Sequence, residues 1–228
     1  MKISFRKSQQ VAWSTVALLL STLSIAEEAS FGTIVPIGAK AGDLTLAPCE
    51  IYMAGDDRNY PGDCGTLVVP ENRKKANSRL IALPVTRINA LSDEPLEPIF
   101  WFQGGPGSSN ANSYPTDGIL QRHDFVTVGY RGIDGEVILE CPEIAEAVSS
   151  VESDIFGDDA LNTYSQGTAA CVQRMQQEGI DLDGYTMNHT IDDNEAARIA
   201  LGYEKINLFG NSYGTRVELL YQWRHPDS

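Results

Sequence analysis

The sequence predicts an α/β fold: a layered sandwich whose sheet is mostly parallel. Two observations carry that expectation. Apolar-rich runs of strand length, at 99–102, 125–128 and 206–209, alternate with stretches of helical period in the second half of the chain, and such alternation builds strand–helix–strand units. The last run (Ile206, Leu208, Phe209) then meets Gly210-Asn211-Ser212-Tyr213-Gly214. A helical pattern follows at once, with Tyr213, Val217, Leu220, Tyr221 and Arg224 on one side and Pro226 as its stop. A buried strand, a sharp turn with serine at its apex and a helix are thus expected in immediate succession.

The elements before that turn follow in order. Residues 1–26 have a basic start (Lys2, Arg6, Lys7), an apolar run over 11–23 and a small-x-small site at Ser24-Ile25-Ala26. This is the layout of a removable signal peptide, and the apolar run is short for a bilayer span. Residues 27–65 are expected as an extended N-terminus followed by a Gly-, Asp- and Pro-rich loop between Cys49 and Cys64. Residues 66–228 are expected as the catalytic domain, or part of one. Within it, 66–70 and 79–88 suit two strands of an antiparallel hairpin at a sheet edge. The unbroken apolar run at 99–102 suits a buried central strand, and 125–128 suits another. Leu161, Tyr164, Thr168, Cys171, Val172 and Met175 follow helical spacing, with Gly179 to close the helix. Thr190 to Asp193 has the form of a capping box, Ala196, Ile199 and Ala200 give the next helix its core face, and Gly202 ends it.

Composition narrows the function classes. The net charge is −14, and losing residues 1–26 removes three positive charges and takes it to −17. Such acidity disfavours nucleic acid and anionic membrane surfaces as partners. Export after signal cleavage, to a periplasm or the outside, is expected, with no membrane attachment thereafter. All four cysteines (Cys49, Cys64, Cys141, Cys171) lie in the exported part, and an even count in an oxidising compartment favours two disulfides. Of three possible pairings, Cys49–Cys64 and Cys141–Cys171 are expected, because each closes a local loop. No metal is expected: there is no C-x₂-C, and His123, His189 and His225 are scattered. No cofactor is expected either. Gly104-Gly105-Pro106-Gly107 lacks the lysine of a phosphate loop and the helix start of a dinucleotide loop. A backbone-donor loop remains as its functional reading. Asn188-His189-Thr190 is a glycosylation sequon, of consequence only in a host that glycosylates exported chains.

Taken together and in this order, Gly-Gly-Pro-Gly, Tyr130-Arg131-Gly132 and Gly-Asn-Ser-Tyr-Gly-Thr-Arg resemble motifs of the α/β-hydrolase superfamily. More narrowly, they look like the secreted proline-iminopeptidase and tripeptidyl-aminopeptidase branch. The run from Cys64 to Arg73 is similar to the start of the catalytic domain in that branch, and so is the run from Asp192 into the elbow. The resemblance covers roughly residues 48–228. It implies the N-terminal part of an α/β-hydrolase fold, with Ser212 as nucleophile and Gly210 and Gly214 as the glycines of its elbow. It also implies an oxyanion hole from the N–H groups of Tyr213 and Gly105, and a peptide or ester substrate cleaved through an acyl-enzyme.

Gln103 departs from the histidine that many relatives carry before Gly-Gly, and Gly129-Tyr130 from Asp-Gln before Arg-Gly. Arg131 is expected either to brace the oxyanion loop or to form a surface ion pair. In this fold the triad runs Ser…Asp/Glu…His, whereas 16 residues follow Ser212. The expectation is therefore a serine peptidase truncated before its acid and base, the chain by itself being inactive. His225 is read as a helix-end residue, and His123 and His189 as core or surface residues. An esterase of the same fold and an inactive product remain open as alternatives.

Overall fold

In the computed structural model, six strands among the described residues form one sheet in the order β1-β2-β3-β5-β4-β6. They are β1 (Leu44–Met53), β2 (Arg58–Pro70), β3 (Leu80–Ile88), β4 (Leu96–Phe102), β5 (His123–Val128) and β6 (Asn207–Gly210). Helices α1 (Asp117–Leu120), α2 (Pro142–Ser149), α3 (Asp158–Gln177), α4 (Met187–Leu201) and α5 (Tyr213–Arg224) complete an α/β architecture. The structure describes residues 33–53, 57–111, 115, 117–151, 154 and 156–228, so the expected signal peptide at 1–26 lies outside it. Among the described residues, no helix is long and apolar enough to cross a membrane.

The expectation of a mostly parallel sheet needs correcting for this part of the chain. Only β4 with β5 and β4 with β6 pair in parallel, while β1–β2, β2–β3 and β3–β5 are antiparallel. For β1–β2 and β2–β3 the reason is connection length. Short turns can only fold a chain back on itself, whereas parallel neighbours need long crossovers, and the helices lie in the later connections. The β2–β3 hairpin exists as expected, but β1, not the hairpin, forms the edge.

The Cys49–Cys64 segment is also not the loop its composition implied. It spans β1 and β2, and its glycines serve close strand approach. A Cβ on Gly62 would collide with the Arg87 carbonyl of β3, and one on Gly65 with the Thr45 carbonyl of β1. Glycine here lets backbones come together rather than turning the chain. Both disulfides pair as expected. Cys49–Cys64 staples the β1–β2 hairpin, and Cys141–Cys171 ties the start of α2 to α3.

Strand alternation sorts the core onto two faces. Phe100 and Phe102 of β4 and Val126 and Val128 of β5 pack with Ile191 and Ala197 of α4 and Val217 and Tyr221 of α5. Phe125 turns to the other face with Ile51, Tyr60, Ile88 and Leu120. Each such fully buried side chain contributes roughly 1.5–3 kcal/mol relative to exposure. Among the described residues β6 lies at the far edge of the sheet and is not the buried strand expected: Phe209 is 48% exposed.

The helices hold with shifted faces. α3 ends near Gly179, which takes φ +78°, but Leu161 and Tyr164 are exposed while Ala160, Gly167, Cys171 and Met175 are buried. α4 begins at Met187 with Thr186 before it, so Thr190 to Asp193 is helix interior and not a capping box. Its buried face is His189, Ile191, Asp193, Asn194 and Ala197, whereas Ile199 and Ala200 are exposed. Gly202 ends α4 in the left-handed conformation, as expected.

Candidate active site

β4 and β6 run parallel side by side, with Phe102 opposite Gly210, so the chain leaves both strands at the same end of the sheet. The loop after β4 (103–110) and the turn after β6 therefore meet. The Asn211 N–H donates to the Phe102 carbonyl (3.0 Å), holding the turn against β4.

Ser212 sits at the apex of this turn with φ 50° and ψ −116°, a conformation that side-chain-bearing residues rarely adopt. It is exposed. The tightness of the turn explains its glycines. A Cβ on Gly210 would lie 2.6–2.7 Å from the backbone of Gly214 and Thr215, and one on Gly214 would run into the Phe102 carbonyl. The Gly214 N–H donates to Asn211 O (2.7 Å) and the Thr215 N–H to Ser212 O (3.1 Å), so α5 starts directly behind the serine. Tyr213 opens α5, and its N–H is among those that an α-helix leaves without an acceptor of its own.

The Gly-Gly-Pro-Gly loop comes against Ser212 from the other side. A Cβ on Gly104 would lie 3.0 Å from Ser212 Cβ and 3.1 Å from the Asn211 carbonyl. Gly105 takes φ +123° and precedes a cis peptide to Pro106. Gln103, the first departure from the family pattern, links loop and turn. Its side-chain oxygen accepts the Gly104 N–H (2.9 Å) and the Asn211 amide (3.5 Å). Tyr130, part of the second departure, donates its hydroxyl to the Gln103 carbonyl (3.1 Å). Burial pushes the Tyr130 phenol well above its ordinary value, which keeps it a donor. Gly129 completes the substitution, because a Cβ there would lie 2.7 Å from Pro84 and Asp134.

Two residues that sequence reasoning missed hold this loop. Asn110 is fully buried. Its amide donates to the carbonyls of Trp101 (3.0 Å) and Val128 (2.9 Å), and its oxygen accepts the Gln103 N–H (2.8 Å). It therefore bridges the ends of β4 and β5. Asp134 accepts the N–H groups of Asn110 (2.9 Å) and Tyr130 (2.8 Å) on one oxygen and the Ser109 hydroxyl (2.6 Å) on the other. Both lie in polar, glycine-rich stretches whose composition looks like ordinary turn, so no local signal marks them.

Arg131 fills neither role expected of it. It is 5% exposed, and its guanidinium forks onto Asp193 of α4 with two contacts of 2.6 Å. It also donates to the carbonyls of Glu71 and Gly184, both at 2.6 Å. It thus clamps the end of β2 to α4 and to the turn of 3₁₀ helix Leu182–Gly184. Asp193 takes Arg73 as well, at 2.6 Å.

The three histidines have structural partners. His123 contacts the Glu97 carbonyl (2.6 Å), and His225 caps α5 and contacts Asp192 (3.2 Å). Buried His189 accepts the Arg73 N–H at Nε2 (3.2 Å), so its Nδ1 carries the proton facing Thr186 Oγ1 (2.8 Å). Burial, then the nearby Arg131 and Arg73, hold His189 below the ordinary imidazole value.

With this geometry in view, the known proteins similar to the chain are informative. No family model matches it. Over 186 residues it is 28% identical to a tripeptidyl aminopeptidase of Streptomyces coelicolor, covering 73% of this chain and 33% of that protein. A tripeptidyl aminopeptidase of Streptomyces lividans matches to the same degree. The serine protease Hip1 of Mycobacterium tuberculosis is 27% identical over 187 residues, covering 72% of this chain and 33% of Hip1. The chain thus spans about a third of the length of the curated relatives it matches, and it is similar to serine peptidases. Homoserine O-acetyltransferase from Staphylococcus aureus aligns over 80% of this chain and 43% of its own at 14% identity, with a TM-score of 0.33 that carries no argument.

Proposed function

We propose that this chain carries the nucleophile-bearing part of an exported serine peptidase of α/β-hydrolase type, acting on short peptides. One observation carries the reading: Ser212 stands exposed and backbone-strained between a strand and a helix N-terminus, with the Gly104-Gly105 loop packed against it. Strain of this kind is worth about 1–3 kcal/mol and persists where surrounding structure enforces it, commonly at reactive sites.

In this reading, Ser212 Oγ attacks the scissile carbonyl. The Tyr213 and Gly105 N–H groups receive the oxyanion, water releases the acyl group as an acid, and the amine leaves with the proton that Ser212 gave up. Each N–H is worth about 3–4 kcal/mol in the transition state. The base that takes the proton is assigned to none of the three histidines: His189 lies between Arg73 and Thr186, His123 faces Glu97, and His225 faces Asp192. The similarity to named peptidases supports peptide over ester substrates, and the two disulfides support export. The test is covalent labelling of the full protein by a fluorophosphonate. Ser212→Ala should abolish it, and equal labelling of both proteins would refute the assignment.

A further inference from the structure

We propose that the cleft beside the elbow is the side-chain pocket of this site, and that it takes an uncharged apolar or aromatic residue adjacent to the scissile bond. The proposal rests on the reading of Ser212 as nucleophile. The cleft has a volume of about 270 Å³. Its walls come from Pro106 and Gly107 of the loop, Tyr130 and Ile133 after β5, Leu139, Tyr185 and Met187 at the start of α4, and Tyr213 next to Ser212. It thus opens where the loop and the elbow meet. An engineered apolar cavity of about 150 Å³ holds a benzene ring, so a phenyl or branched aliphatic side chain fits with room for its Cβ.

The chemistry of the walls sets the class of occupant, because their charged and phenolic groups are already committed. The Tyr130 hydroxyl donates to the Gln103 carbonyl, and the Tyr185 hydroxyl to Glu71 Oε1 (2.7 Å). Burial first, and for Tyr185 the Glu71 carboxylate next, push both phenols well above their ordinary values, so neither offers a charge. Arg131 borders the cleft, but its guanidinium is shared between Asp193 and three backbone carbonyls. Thr186, at the rim, faces His189. What remains for a ligand is ring surface with Met187, Leu139 and Ile133, beside the Thr190 side chain and glycine backbone, none of which carries a charge. A charged side chain would lose its hydration there and gain no partner. Methionine at the mouth adds an adaptable apolar contact.

The experiment is a saturation-transfer NMR titration of the full chain with four probes: the N-acetyl amides of phenylalanine, leucine, aspartate and lysine. The phenylalanine and leucine probes should bind at least about tenfold more tightly than the two charged ones. Met187→Asp, at the first position of α4 where an acidic residue suits the helix, should weaken the apolar probes about tenfold. Leu139→Asp, on a loop, is the second variant should the first not fold. Equal affinities across the four amides, or unchanged apolar binding in a folded variant, overturns the proposal. The titration reads binding in the cleft, whereas the fluorophosphonate reads reaction at Ser212. Failure of the pocket therefore shows in the titration, and failure of the nucleophile reading shows in the labelling.

Discussion

Ser212 is held at φ 50° by the turn around it, not by preference of its own. Glycine occupies that region without steric cost. Ser212→Gly should therefore stabilise the fold by about 1 kcal/mol while removing fluorophosphonate labelling, and Ser212→Ala should remove labelling without that gain. Thermal melts of the three proteins check it. Gly214→Ala acts in the opposite direction, since its methyl meets the Phe102 carbonyl, a backbone atom that cannot swing away. It should cost about 1–3 kcal/mol and move Ser212. His189 gives a pH signature. Its imidazole lies below the ordinary 6.5 in the folded chain, beside Arg131 and Arg73 and facing Asp193 and Asp192. The unfolded chain takes up that proton more readily, so this contribution is complete above pH 6.5 and is lost as pH falls below it. The urea midpoint should drop between pH 8 and pH 5, and less so in His189→Gln.

At the level of elements, α4 is fastened to the sheet through charge as well as apolar contact. Arg131 and Asp193 each have side chains 1% exposed, and Asp193 also holds Arg73. Removing one member leaves a buried charge without its partner, so Asp193→Asn should cost about 3–5 kcal/mol. The double change Asp193→Leu with Arg131→Met should recover much of that loss, as measured by chemical denaturation. The same pair explains why the face of α4 was misjudged. Apolar spacing pointed to Ile199 and Ala200, yet the buried side is built on His189, Asp193 and Asn194. A buried polar network reverses the pattern on which periodicity depends.

For the whole molecule, the described residues build a mixed sheet whose parallel strands β4 and β6 end together at the elbow, and two disulfides staple regions outside that site. Cys141–Cys171 closes a separation of 30 residues and joins α2 to α3. Replacing both cysteines with alanine should destabilise the chain by about 3–4 kcal/mol, mostly through the freer unfolded state, with labelling at Ser212 retained. A loss of labelling in a still-folded variant would show that α2 and α3 support the site.

The sequence by itself determined the strands 99–102 and 125–128, the turn with Ser212 at its apex, α5 and its stop, and both cysteine pairs. These depend on neighbours close along the chain: runs of apolar residues, glycines demanded by a tight turn, cysteines closing local loops. Tertiary structure alone decided that 58–64 is strand, that Arg131 clamps β2 to α4, and that Asn110 and Asp134 hold the glycine loop. Each depends on a partner distant in sequence. A polar residue in a loop has the same local appearance whether it faces water or closes a buried hydrogen bond, and only the folded chain brings the partner to it.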